Sequence, residues 1–270
     1  MPQATLLPLS MATCGPQHGS CRLPPCMLAQ TKLRYDQSRW NLVAAVRAAL
    51  GCHDTALQGL AQLPREHTAR GTPPVHRALV EVRKGESSGP SIRSLEAMNL
   101  QVRRAWRHGP AHAAFKVAFQ QFVDEWLLPQ FECDCWVSPA TLRVVLPGGI
   151  RPSRPHCDAD YGYDASEINY WVPLTYVHGA NSMWVESAPG LADFAPIEAA
   201  PGQVVRFYGN RCHHFTLAND SDAVRVTFDF RVLPRHLASD AHHGDEAVLR
   251  KQYTLHEWDG VKRAAVVRST

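Results

Sequence analysis

His156-Cys157-Asp158 places an imidazole and a carboxylate two positions apart. On an extended chain, residues i and i+2 project to the same side, so both can reach one ion. Beyond the turn Gly209-Asn210-Arg211, the run Cys212-His213-His214 supplies two further imidazoles. Two histidines and one carboxylate bind a divalent metal from one side and leave its other positions open. That donor set suits non-haem iron(II), with the open positions free for a co-substrate and oxygen. The spacing alone leaves both His213 and His214 as the distal donor.

A second group follows in Val224–Val232. Apolar Val224, Val226, Phe228, Phe230 and Val232 alternate with polar Arg225, Thr227, Asp229 and Arg231, the period of a strand with two different faces. The apolar face is expected to pack on helices and the polar face to line a barrel. Arg225 is then an inward charge that requires an anion. Its planar fork matches a carboxylate, and Thr227 on the same face adds a hydroxyl.

The elements that must position these residues divide the chain. Residues 1–35 contain five prolines, three cysteines and no acidic residue, and read as a disordered or targeting extension. Residues 36–270 read as a single domain. Within it, 36–131 is helical: a helix capped by Asp36 or Ser38 carries Trp40, Leu42, Val43, Val46 and Leu50, and two more cover Ser94–Trp106 and Ala111–Leu128. The last of these places Phe115, Val117, Ala118, Phe119, Phe122, Val123 and Trp126 broadly on one face. From Trp136 the period becomes two, with strands at 141–146, 167–174, 182–186, 203–208 and 224–232, so that 132–234 forms a β-barrel or sandwich core. Residues 235–270 are a C-terminal extension with one helix at Glu246–Tyr253. The fold class is α+β, mainly β, with helices buttressing one face of the β-unit.

Composition narrows the function. Hydrophobic residues at 45% and charged residues at 20% are globular values. A net charge of +3, from 28 basic and 25 acidic residues, argues against a nucleic-acid partner. No apolar run reaches the ~18–20 residues of a membrane span. Eight cysteines without a C-x-x-C pair read as reduced thiols of a cytoplasmic protein.

H-x-D, a distal His, then Arg with Ser/Thr two later resembles the 2-oxoglutarate/Fe(II)-dependent oxygenases. In that family ten residues commonly separate the distal His from the Arg, which matches His214 and puts His213 one out of register. The flanking segments His156–Gly162, EINYWVPLT (167–175), NSMWVESAPG (181–190), GNRCHHFT (209–216) and RVTFDFRV (225–232) are similar to the StrG-type group. That group is related to the phytanoyl-CoA-hydroxylase-like oxygenases. The likeness is strong from about residue 141 to 232, weak over the helices before it, and does not extend to 1–35.

The resemblance implies a double-stranded β-helix (a jelly-roll, cupin-like fold) holding Fe(II) through His156, Asp158 and His214. Arg225 would anchor the distal carboxylate of 2-oxoglutarate, assisted by Thr227 and Thr216. Asn169, Trp171 and Asn181 are further candidates for contact with the co-substrate or the metal ligands. Oxygen would be activated while 2-oxoglutarate becomes succinate and CO2, and a small-molecule substrate hydroxylated. The carboxylate Asp158 matters here, since halogenating relatives carry a small residue in its place. Arg143 and Arg154 could meet an anionic substrate, and Tyr161, Tyr163 and Trp184 a polar one. Two other readings use the same residues: a non-catalytic β-barrel binding protein, and a zinc hydrolase, which gives Arg225 no task.

Overall fold

The computed structural model describes residues 23–50, 57, 106, 110–147, 153–238 and 246–260. Among them the architecture is mainly antiparallel β-sheet with a few helices. A short helix α1 (Pro25–Leu28) and strand β1 (Thr31–Arg34) precede helix α2 (Leu42–Leu50). Helix α3 (Pro110–Phe122) continues through a π-turn at Val123–Leu127 and a 3-10 turn at Leu128–Gln130, where Pro129 removes the next helical N–H. Strands β2 (Cys135–Val137), β3 (Thr141–Val145), β4 (Ile168–Pro173), β5 (Met183–Val185) and β6 (Ala195–Pro196) follow. Then come β7 (Gln203–Phe207), β8 (His214–Thr216), β9 (Arg225–Pro234), helix α4 (Glu246–Gln252) and β10 (Thr254–His256).

The larger sheet runs β1-β7-β4-β9-β2-β10, and the smaller β6-β5-β8. The ten-residue β9 organises the larger one. Along one edge it pairs β4, from Ile168↔Val232 to Pro173↔Thr227. Along the other, β3 takes Arg225–Asp229 and β2 takes Val232–Pro234.

The alternation of β9 decides which face does what. Val224, Val226, Phe228, Phe230 and Val232 are all buried, and helix α3 packs on Phe228 and Phe230. Phe115 meets Phe228 edge-on at 5.6 Å, and Phe119 meets Phe230 at 5.1 Å. Phe230 also stacks on Tyr170 at 5.3 Å. Residues 115, 119 and 122 recur at helical spacing, so these three phenylalanines share the buried face of α3. Val117 does not join them and is 58% exposed, because two positions turn a helix about 200° away from Phe115.

Two expectations are corrected. Residues 1–35 are not an extension throughout: Leu23 and Tyr35 are buried, and β1 pairs β7 from Thr31↔Arg206 to Arg34↔Gln203, closing the sheet edge. Residues 1–22 lie outside the described residues. Within the C-terminal extension, β10 pairs β2 and Tyr253 is buried. Helix α2 is capped by Asn41, whose Oδ1 accepts the Ala44 N–H at 2.9 Å, while Asp36 instead holds a turn through Ser38. The helix expected at Ser94–Trp106 lies outside the described residues except for Trp106. No helix among the described residues is long and apolar enough to cross a membrane.

Candidate metal centre

The two histidine segments are docked to each other through backbone. His156 and His214 form an isolated antiparallel bridge. The chain then turns into a 3-10 segment, Asp158–Tyr161. Its first N–H groups are satisfied by the following motif: Asp158 N donates to Gly209 O at 2.8 Å and Ala159 N to Asn210 O at 3.2 Å. The Asn210 side chain in turn donates to the carbonyls of Tyr163 and Asp164. Gly209 is needed for space, since a Cβ there would lie 2.7 Å from Asn169 side-chain atoms.

This docking gathers His156, Asp158 and His214, whose ligand atoms all lie within 4.8 Å of one another. Each imidazole is oriented from behind. His156 Nδ1 lies 2.8 Å from Arg154 O, and His214 Nδ1 lies 3.1 Å from Cys212 O. A carbonyl only accepts, so each neutral ring carries its proton on Nδ1 and keeps the Nε2 lone pair for the centre. Burial pulls the His214 imidazole below its usual range, against the charge of Asp158, and so keeps it neutral. Burial opposes ionisation of Asp158, but the Arg231 fork, Arg231's charge, His214 and Asn169 together hold its carboxyl below the usual range. His213 faces the other way, 3.3 Å from the Glu186 carboxylate.

A cavity of about 270 Å3 opens beside these groups. Its walls come from both sheets, with Asn169 and Trp171 on β4, Phe207 on β7, Met183 on β5, and the row Arg225, Thr227, Asp229 and Arg231 on β9. Arg225 is 6% exposed. Its Nη1 donates to Asn181 O at 3.2 Å, while its Nε has no hydrogen-bond partner. No carboxylate among the described residues ion-pairs with it. Burial, with the neighbouring Arg143 charge, pulls its guanidinium down to about 10, which leaves it cationic at neutral pH. Thr227 is fully buried, and its hydroxyl has no partner.

The other anticipated residues separate. Asn169 lines the cavity and donates to Asp158 Oδ2 at 2.6 Å. Asn181 is not on the cavity wall: its Oδ1 accepts the His178 N–H at 2.8 Å, and only its carbonyl reaches Arg225. The Thr216 hydroxyl is engaged with Ser153 Oγ at 3.1 Å, at the cavity side of β8. Arg143 lines the cavity but is already forked onto Asp229 at 2.8 and 3.3 Å. Arg154 is exposed and contributes its carbonyl. Trp184 donates to Gly179 O and stacks on Phe215, and it does not itself line the cavity. Tyr161 is exposed, with its ring edge-on to His156 at 5.3 Å. Tyr163 lies under the Arg231 guanidinium at 3.9 Å.

Arg231 is the residue that the sequence reading overlooked. It grips Asp158 with Nε at 2.9 Å and Nη2 at 3.0 Å. The signal was present, since Arg231 shares the inward face of β9 with Arg225. Its partner, however, lies far away in sequence.

No protein-family model matches the sequence. Over 209 residues the chain is 31% identical to the streptomycin biosynthesis protein StrG of Streptomyces griseus, a match spanning 77% of this chain and 87% of that relative. Among solved structures it is similar to the non-haem monooxygenase ThoJ in its nickel complex, at 20% identity over 60% of this chain and 69% of that one, with a TM-score of 0.34. It is also similar to the non-haem α-ketoglutarate-dependent epimerase SnoN from nogalamycin biosynthesis, at 15% identity over 77% and 79% of the two chains, with a TM-score of 0.39. On its identity to the Streptomyces griseus protein across most of both sequences, the chain belongs to the StrG family.

Proposed function

We propose that the protein is a non-haem Fe(II)/2-oxoglutarate-dependent oxygenase with a double-stranded β-helix core, which hydroxylates a small polar metabolite. The observation that carries this reading is Arg225. A buried guanidinium without a carboxylate, with an unpartnered Nε beside an unpartnered Thr227 hydroxyl, is costly unless an anion completes it. That anion subsite shares its cavity with the His156, Asp158 and His214 cluster. A ligand that spans the two carries a carboxylate at one end and a metal-chelating group at the other, which describes a 2-oxo dicarboxylic acid.

The residues fit the absent groups. His156, Asp158 and His214 would hold Fe(II), an oxygen- and nitrogen-donor set that leaves positions open. When bound, iron(II) and 2-oxoglutarate supply oxygen activation, with the keto acid released as succinate and CO2. Arg225 binds the far carboxylate through its fork, and Thr227 donates its hydroxyl. The Arg154 and Cys212 carbonyls keep both Nε2 atoms directed at the centre. Trp171, Met183 and Phe207 exclude water from the inner wall. Arg143, Ser153 and Thr216 remain on the wall to meet a polar substrate.

The test is anaerobic addition of Fe(II) and then 2-oxoglutarate to metal-free protein. A weak visible charge-transfer band that requires both components is the expected result, with succinate formed on admitting oxygen. Metal-dependent hydrolysis without oxygen would point to a zinc enzyme instead. Binding without turnover of any substrate would point to a non-catalytic barrel.

A further inference from the structure

The partners of Asp158 divide unequally between its two oxygens. Oδ2 accepts Arg231 Nε at 2.9 Å and Asn169 Nδ2 at 2.6 Å. Oδ1 accepts a single donor, Arg231 Nη2 at 3.0 Å, and lies 3.8 Å from His214 Nε2. A carboxylate oxygen has two lone-pair directions. Oδ2 has used both, whereas Oδ1 keeps one in the neighbourhood of the histidines.

We propose that Arg231 is a positioning residue that makes Asp158 a one-oxygen metal ligand, closing Oδ2 to the ion and presenting Oδ1 alongside His156 and His214. This rests on the reading of those three residues as a metal site. A carboxylate that chelates through both oxygens takes two coordination positions. Held to one, with two imidazoles, it leaves half of an octahedral ion's positions open for co-substrate and oxygen.

The clamp is built into the sheet. Asn169 and Arg231 are direct register partners on β4 and β9, so both donors to Oδ2 rise from opposed positions of two hydrogen-bonded strands. Arg231 itself has little freedom. The Tyr163 ring lies 3.9 Å from its guanidinium carbon, and Glu167 Oε2 lies 4.0 Å from its Nε. Glu167 is fixed in turn by the Tyr253 hydroxyl at 2.9 Å, which ties the C-terminal segment to the centre. Such a fork fixes direction as well as charge, which a lysine ammonium does not.

The competing account is that Arg231 merely neutralises Asp158 and contends with the ion for it. Anaerobic Co(II) titration of metal-free protein separates the two, read from the visible absorption of bound cobalt, alongside the melting temperature of the metal-free protein. Arg231→Lys keeps the charge and loses the fork. It should weaken Co(II) binding about 10–100-fold, the usual cost of losing the group that orients a metal ligand. Tyr163→Leu removes the ring beneath the guanidinium and should weaken binding in the same direction by less. A purely structural role would lower the melting temperature and leave the cobalt constant unmoved. Co(II) bound by Arg231→Lys as tightly as by wild type, or more tightly, overturns the proposal. Should Arg231→Lys fail to fold, an unchanged cobalt constant in Tyr163→Leu overturns it as well. Wild-type protein that takes up no Co(II) overturns the metal-site reading itself, a different outcome from loss confined to the variants.

Discussion

His156 and His214 meet as the two members of a lone antiparallel bridge, His214 N–H donating to His156 C=O at 2.9 Å and His156 N–H to His214 C=O at 3.3 Å. Directly opposed residues of an antiparallel pair project to the same side. The bridge therefore converges the two imidazoles, whose ring centroids lie 4.5 Å apart. It also decides between neighbours, because the residue before His214 must project away. Strand alternation turns His213 towards Glu186.

From that geometry, replacing His156, Asp158 or His214 by Ala should abolish stoichiometric iron binding and succinate formation. His213→Ala should retain both, with at most a small loss. Equilibrium dialysis against Fe(II) under argon reads the first effect directly. Loss of iron in His213→Ala together with its retention in His214→Ala would show that the bridge does not set the ligand.

The N-terminal edge of the larger sheet should matter to stability. Tyr35 is 7% exposed and packs edge-on against Phe122 at 5.3 Å and Trp126 at 6.3 Å, while its N–H donates to Gly202 O. Truncating a buried aromatic typically costs about 3–5 kcal/mol. Tyr35→Ala should destabilise by that order in urea unfolding, and Tyr35→Phe by much less. A Tyr35→Ala protein with the wild-type midpoint would show that residues 23–35 are dispensable to the domain.

Glu167 should give the stability a specific pH slope. Burial, opposed by the Tyr253 hydroxyl and the Arg231 charge, pushes its carboxyl up from 4.5 to about 7. Between those values the native state keeps a proton that the unfolded chain has released. Its contribution to stability is therefore greatest at low pH and falls as pH rises through that window, by up to about 1.4 kcal/mol per unit. Above about 7 the slope from this group vanishes. Melting curves of wild type and Glu167→Gln from pH 5 to 8 should converge or diverge accordingly, the wild type losing ground to the variant as pH rises. Parallel curves would mean that Glu167 is ionised throughout.

What the sequence showed depended on whether the controlling interaction was local. The alternation in β9 identified both its helix-facing side and the inward position of Arg225, because period two survives wherever one face is buried. The H-x-D pair was legible for the same reason, with the chain extended at Cys157 before the 3-10 turn. Strand β1 was not legible. TKLR is four residues with a half-buried Leu33, and its order comes from hydrogen bonds to β7 across the sequence. Strand β10 is three residues long and depends similarly on β2. Arg231 was visible on the correct face, but its task is set by Asp158, brought beside it by tertiary docking. Asn181 reaches Arg225 through its carbonyl, a contact that a side-chain argument does not foresee.

Arg225 should anchor the co-substrate rather than the substrate. It sits at the start of β9, paired with Val145, and Asp229, the carboxylate whose charge acts on it, is already held by the Arg143 fork. The charge thus waits for an external anion, and the Thr227 hydroxyl beside it waits for an acceptor. Removing one partner of a desolvated charge pair typically costs about 2–5 kcal/mol. Arg225→Ala should therefore raise the apparent 2-oxoglutarate constant by roughly one to three orders of magnitude, at about 1.4 kcal/mol per decade. Iron binding should hardly change, because His156, Asp158 and His214 keep their supports. Arg225→Lys should recover only part of the loss, since an ammonium lacks the two-pronged contact. Thr227→Val should weaken binding by a smaller step, about 0.5–1.5 kcal/mol for a lost hydrogen bond. Anaerobic 2-oxoglutarate titrations of the Fe(II)-loaded variants decide the matter. An unchanged constant in Arg225→Ala would move the anchor to the next guanidinium on the cavity wall, Arg143, whose replacement would then have to release Asp229 as well.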